Sequence, residues 1–285
     1  MTLYRQFSTQ EEIDAHYNVL GNVADPDAII RAWAERSEAT VARLECRLNL
    51  RYGPTLAEYC DVFSAGPGSP VHVFVHGGYW RRFSARDHDF VVPQLVAAGL
   101  TVVVVNYALC PVVTLDEIVR QVRAAIAWTY AHAGELGADP ARLTVSGHSA
   151  GGHLTAMALL TDWPGEYGLP ADLIKGAVAI SGLYDLGFVP YSYVQPKVQA
   201  SWDQVRRLSP LWHLPKSAPP LLVAVGGDET DEFRRQSHDF HAAWRKAGLP
   251  GDYLEPPGKH HLTVLEELER ADSELTQALV RIARG

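Results

Sequence analysis

Positive charge is in short supply in this sequence: 25 lysines and arginines stand against 33 aspartates and glutamates, a formal net charge of −8 at pH 7. A field of that sign repels polyanions and gives no reason to expect nucleic-acid or acidic-membrane binding, so a small organic molecule is the expected partner. Cysteine is scarcer still. Cys46, Cys60 and Cys110 are odd in number, widely spaced and without a CxxC pair, which argues against a disulfide framework or a zinc ribbon. They read as ordinary, partly buried thiols. Long apolar runs are missing too: the most apolar, residues 100–105, falls far short of the roughly 18 residues a membrane span needs. The first fifteen residues carry Glu11, Glu12 and Asp14 and lack the apolar stretch of a secretory signal, so a cytoplasmic protein is expected. Repeats and low-complexity tracts are absent, which sets solenoids and propellers aside.

What remains is 285 residues, 47% of them hydrophobic, enough for one large α/β domain with an extensive core. Short β-branched runs recur at 71–75 (VHVFV), 101–105 (TVVVV), 143–146 (LTVS), 176–180 (GAVAI) and 221–225 (LLVAV). Strands this apolar are buried on both faces, as in a parallel sheet. Between them lie helical patterns. Leu115, Ile118, Val119, Val122 and Ile126 repeat at three and four residues behind Thr114 as N-cap, and Phe233, Phe240 and Trp244 share a stripe that ends before Gly248. A third helix is expected from about Val264 to the end. Strands alternating with helices predict an open, mostly parallel sheet flanked by helices, with ligands gathered beyond the carboxyl ends of the strands.

Two regions interrupt the alternation, within what reads as a single domain over 1–285. Residues 1–55 read as a helical segment with no strand before about Cys60. Residues 183–219 hold five prolines and six aromatics, among them Tyr184, Tyr191 and Trp202, and are expected to form a lid-like insertion facing the substrate.

Gly147-His148-Ser149-Ala150-Gly151 fits G-x-S-x-G between a strand and a helix, the context in which a sharp turn lifts a nucleophilic serine into the crevice. A serine hydroxyl is too weakly acidic to attack a carbonyl unaided, so a base must take its proton and an acid must orient that base. Asp228 and Glu229 follow the strand at 221–225. Glu229 is favoured, three residues beyond the strand-ending Gly226, and Asp228 stays as the alternative. His261, next to the C-terminal helix, is the expected base, with His260 as its flank. Gly77 and Gly78, together with the amide of Ala150, are the expected oxyanion hole, because glycine lets a backbone N–H approach a ligand without a Cβ in the way. Tyr79, Trp80, Tyr184, Tyr191 and Trp202 are the expected substrate-binding side chains. No other histidine shows an H-E-x-x-H or comparable spacing, so neither a metal nor a cofactor is expected. If the chain assembles, a homodimer is the commonest arrangement.

Together HGGYW at 76–80, GHSAGG at 147–152 and the late acid and histidine resemble the α/β-hydrolase superfamily, and within it the arylformamidases, or kynurenine formamidases. Ser181-Gly182-Leu183-Tyr184-Asp185-Leu186 and Glu232-Phe233-Arg234-Arg235-Gln236-Ser237 match further motifs of that family, and the likeness reaches upstream to Tyr52-Gly53 and Asp61-Val62-Phe63. The resemblance implies an α/β-hydrolase fold and hydrolysis of an N-formyl group from an aromatic amine such as N-formylkynurenine. It places the family's catalytic aspartate at Glu229, a departure in residue type, and its histidine at His261. A carboxylesterase acting on small aryl or short-chain esters is the alternative, and a non-catalytic binding module on the same fold the reading from another class.

Overall fold

The computed structural model describes residues 2–21 and 23–285. The β-branched runs become strands whose alternating side chains feed two cores. Val71, Val73 and Val75 face one way, with Leu115, Ile118, Val122 and Ile126, while Phe74, Val102 and Val104 face the other, with Trp33, Leu95, Leu275 and Leu279. Burying each such aliphatic side chain contributes roughly 1.5–3 kcal/mol, so the sheet is held from both sides.

The strands are β1 (Cys46–Arg51), β2 (Tyr59–Phe63), β3 (Ser69–Val75), β4 (Thr101–Val105), β5 (Ala138–His148), β6 (Gly176–Ile180), β7 (Leu221–Ala224) and β8 (Gly251–Leu254). They form one sheet in the order β1-β2-β4-β3-β5-β6-β7-β8, parallel from β4 to β8 and antiparallel at β1·β2 and β2·β4. The helices are α1 (Gln10–Tyr17), α2 (Pro26–Arg43), α3 (Val92–Ala97), α4 (Leu115–His132), α5 (Ala150–Leu159), α6 (Trp163–Tyr167), α7 (Gln195–Val198), α8 (Trp202–Arg207), α9 (Asp231–Lys246) and α10 (Glu274–Arg284). Among the described residues no helix is long and apolar enough to cross a membrane. Chain order reverses around β3, which has β4 on one side and β5 on the other, and a crevice opens beyond the carboxyl ends of β3 and β5.

Thr114 caps α4 as expected, its side chain accepting from the Glu117 N–H. Two expectations need correcting. Residues 1–55 are not wholly helical, because β1 forms the sheet edge; its alternating half-buried and exposed residues, with arginines and an asparagine, hide the strand signal. The helix expected from Val264 onward is instead a 3₁₀ turn at Leu265–Glu269, a break, and then α10, restarted by Ser273, whose side chain accepts from the Thr276 N–H at 3.0 Å.

Candidate active site

Ser149 sits between β5 and α5 at φ 57°, ψ −118°, a backbone region costly for a non-glycine residue. Neighbours over-determine the turn. Its N–H donates to the Ile180 carbonyl at the end of β6 (2.8 Å), and its carbonyl accepts from the His153 N–H (3.1 Å). A Cβ at Gly151 would collide with the Val75 carbonyl, so only glycine lets α5 begin hard against the end of β3. Ala150 is the first residue of that helix, and the amides of a helix's first turn have no intrahelical acceptor.

The loop after β3 is strained as well. Gly78 has φ +105°, and Tyr79, Trp80 and Phe83 follow at +50°, +56° and +72°. Bulky residues there cost on the order of 1–3 kcal/mol each. Side chains hold them in place. Tyr79 OH donates to the Tyr17 carbonyl at 2.5 Å, Trp80 Nε1 donates to His153 Nδ1 at 3.2 Å, and the Trp80 carbonyl accepts from the Cys110 N–H at 2.8 Å. An indole N–H only donates, so His153 Nδ1 must accept, and its other nitrogen, Nε2–H, donates to the Leu208 carbonyl at 2.8 Å. Burial pushes His153 down to about 4, which keeps this bridge neutral.

His261 lies in the loop between β8 and α10, with Nδ1 2.6 Å from Glu229 Oε2. The opposite Glu229 oxygen, Oε1, accepts from the Ser181 hydroxyl and, at 2.9 Å, from the Gly226 N–H. Both side chains of the pair are nearly fully buried. Asp228 is exposed, and its N–H is engaged by the Lys259 carbonyl. Of the two candidate acids, therefore, the structure brings Glu229 to His261 and leaves Asp228 outside. His260 is half-buried and points elsewhere, its Nδ1 accepting from the Leu262 N–H at 3.3 Å. His148 Nε2 donates to the His261 carbonyl at 2.8 Å and so holds the loop that carries His261; burial and the neighbouring imidazole push His148 well below the usual histidine range.

Ser149, His261, Gly77 and Gly78 line one cavity of about 120 Å³. A cavity of roughly 150 Å³ holds benzene, so the space accepts about one ring, with other substituents toward the opening. Among the described residues no hydrogen bond joins Ser149 to His261; such bonds are often long before substrate arrives.

The remaining wall differs from expectation. Tyr79 lines the cavity, but Trp80, Tyr184, Tyr191 and Trp202 do not. Trp80 and Tyr184 are fully buried in the core, Trp80 against His153 and Tyr184 stacked on Phe240 at 4.1 Å between ring centroids. Tyr191 and Trp202 pack on each other at the outer surface, Trp202 48% exposed. The wall is instead completed by Asn18, Val19, Leu20 and Trp33 from the N-terminal segment, by Arg81, Arg82, Phe83 and His88, and by Tyr193 and Leu262. Ser181 was also missed, although a Ser-Gly pair ending the strand beside the elbow strand was the available signal.

Residues 72–265 match a family model described as the alpha/beta hydrolase fold. The chain is 32% identical to the kynurenine formamidase of Salmo salar over 89% of its own length and 87% of that protein's, and 30% identical to that of Danio rerio over 97% and 91%. It is 29% identical to esterase LipC of Mycobacterium tuberculosis, over 89% of this chain and 70% of that one. A crystal structure of a Silicibacter protein assigned as a thioesterase superposes with a TM-score of 0.82 at 29% identity, covering 96% of this chain and 99% of the other.

Proposed function

The chain belongs to the α/β-hydrolase family and is a hydrolase; from that premise we propose that it removes the N-formyl group of an aromatic amine, of the N-formylkynurenine kind, through an acyl-enzyme on Ser149. The observation that carries the mechanism is the Glu229–His261 pair, whose histidine shares the cavity wall with the strained Ser149 and the glycine loop. Ser149 Oγ attacks the formyl carbon, its proton passing to His261 Nε2 while Nδ1–H keeps donating to Glu229 Oε2. Backbone N–H groups of the 77–78 loop and of Ala150 receive the oxyanion, a contribution of roughly 3–4 kcal/mol per donor. The C–N bond breaks, the amine leaves with the proton from His261, and water then releases formate by the same steps in reverse order. The formamide choice rests on the formamidase relatives, and the one-ring cavity suits an aromatic substrate of either class. Three free cysteines suit a reducing, cytoplasmic setting.

The relation to LipC favours a second reading, hydrolysis of small aryl esters, which the same groups would perform with a better leaving group. Comparing kcat/KM on an N-formyl arylamine with that on phenyl acetate decides between them. Ser149→Ala is expected to lower turnover of the preferred substrate by at least roughly 10⁴-fold and Glu229→Gln by about 10⁴-fold, with Asp228→Asn near wild type. Equal losses in Glu229→Gln and Asp228→Asn would refute the assignment of the acid.

A further inference from the structure

The cavity wall is cationic although the chain is acidic. Among the described residues no aspartate or glutamate lines the cavity, whereas Arg81 and Arg82 both do. The imidazoles beside them add no charge at neutral pH, since burial pushes His88 down to about 4 and His148 well below the usual range. Among the described residues neither arginine forms an ion pair, in contrast to Arg86, Arg120, Arg207 and Arg235. The Arg81 guanidinium carbon lies 5.2 Å from the Tyr193 ring centroid, and its Nε is buried without a hydrogen-bond partner. Arg82 lies over Phe83 at 5.1 Å and is exposed. Asp14, the acidic group whose field reaches Tyr193, is engaged by the Tyr193 N–H at 2.7 Å and by Gln10.

Holding a partly buried guanidinium without a counter-ion is unfavourable, and the Tyr193 ring and hydroxyl offset only part of that cost, leaving Nε without a partner. A guanidinium presents a planar fork of donors that matches a carboxylate, and an aromatic face on one side leaves that fork's edge directed at a ligand. Because the transferred formyl group has no room for a second substituent, an anionic group must sit on the leaving amine. We propose that Arg81 is the specificity-determining residue of this site and that it receives a carboxylate carried by the substrate's aromatic leaving group. The inference rests on the acyl-hydrolase reading above, while its test does not depend on which acyl bond is cut.

The experiment uses the full chain and matched substrate pairs: the ortho, meta and para formamidobenzoates against the corresponding formamidobenzamides, and the acetoxybenzoates against the acetoxybenzamides. The quantity read is the ratio of kcat/KM, carboxylate over carboxamide, at low and high salt. For at least one isomer the wild-type ratio is expected to exceed roughly tenfold, to be carried by KM and to shrink with salt. Arg81→Gln is expected to bring it near one, and Arg81→Lys to keep part of it. A wild-type ratio near one for every isomer, an unchanged ratio in Arg81→Gln, or collapse in Arg82→Gln alone would each overturn the assignment. Turnover of the esters without the formamides would instead count against the formamide reading, and the ester pairs would still report on Arg81. If neither class turns over, protection of Ser149 from a fluorophosphonate by each member of the formamide pairs gives the same ratio, with the same outcomes for and against.

Discussion

The N-terminal segment and the 183–219 stretch meet where Tyr17 stacks on Phe188, yet they do opposite work. The aromatic-rich stretch is internal structure. Leu183, Tyr184, Leu186, Phe188 and Val189 are fully buried, and Gln236 of α9 accepts the Tyr184 and Asp185 N–H groups at 2.7 and 2.8 Å. Only Tyr193 reaches the cavity. The more polar N-terminal segment supplies the cavity wall and a tether: Tyr17 stacks on Phe188 at 3.6 Å, donates to Glu232 at 2.9 Å, and through its carbonyl holds Tyr79 in the oxyanion loop. Aromatic enrichment in the 183–219 stretch therefore does not mark the cavity, whose aromatic side chains Trp33, Tyr79 and Phe83 come from elsewhere and only Tyr193 from that stretch.

Tyr184→Ala should show the largest effect. Removing this buried ring from its stack on Phe240 is expected to cost about 3–5 kcal/mol of stability, read as a shift of the denaturant midpoint. The kcat/KM of the folded fraction should stay within a few-fold of wild type. Tyr184→Phe should be neutral or slightly stabilising, because the hydroxyl is buried without a partner. A collapse of kcat/KM in Tyr184→Phe would restore this residue to the substrate side.

Acid is the next lever, because His153 bridges Trp80 of the oxyanion loop to Leu208 of the 183–219 stretch. Its folded pKa, about 4, lies below the unfolded value of about 6.5, so its contribution is fully present above pH 6.5 and is lost as pH falls from there toward 4. The depression corresponds to about 3 kcal/mol across that window. Denaturation curves from pH 8 to 4 should show a stability drop shallower by about that amount in His153→Gln than in wild type. Parallel profiles would mean that His153 is not held neutral. Tyr79→Phe comes third: it removes one of three donors to the Tyr17 carbonyl, with the Val19 N–H (3.1 Å) and the Tyr193 hydroxyl (3.4 Å) remaining, a loss of roughly 0.5–1.5 kcal/mol, and is expected to lower kcat about tenfold by loosening the loop. A stability change with kcat intact would reduce the N-terminal tether to a structural role.

Much of this was legible from residue types whose physics is local. The valines of β3 and β4 announce buried strands, Thr114 announces α4, and Gly147-x-Ser149-x-Gly151 announces the elbow because a turn that tight tolerates little else. Spacing from Gly226 favoured Glu229 but left Asp228 open, and it is the contact with His261 that distinguishes them. What escaped depends on contacts between segments remote in the chain. Asn18, Leu20 and Trp33 carry no catalytic chemistry and become cavity wall only through packing, while β1 hides behind the polar alternation of an edge strand. Trp80 and Tyr184 were misread because an aromatic near a site satisfies core packing as readily as ligand binding.

The smallest expected effect belongs to Trp202, the most exposed tryptophan of the 183–219 stretch and one of the side chains a lid would use. It caps the solvent side of Tyr191, their rings 5.6 Å apart, and remains 48% exposed outside the cavity. Truncating it removes an edge contact and no buried partner, so Trp202→Ala should change stability by no more than about 0.5 kcal/mol and kcat/KM by less than about twofold. The same substitution in a true lid would raise KM strongly and selectively for aromatic substrates. Measuring KM on an aromatic and an aliphatic substrate therefore separates the two: a selective rise would show that the stretch folds over the ligand during turnover, whereas equal, near-wild-type values leave the N-terminal segment as the site's cover.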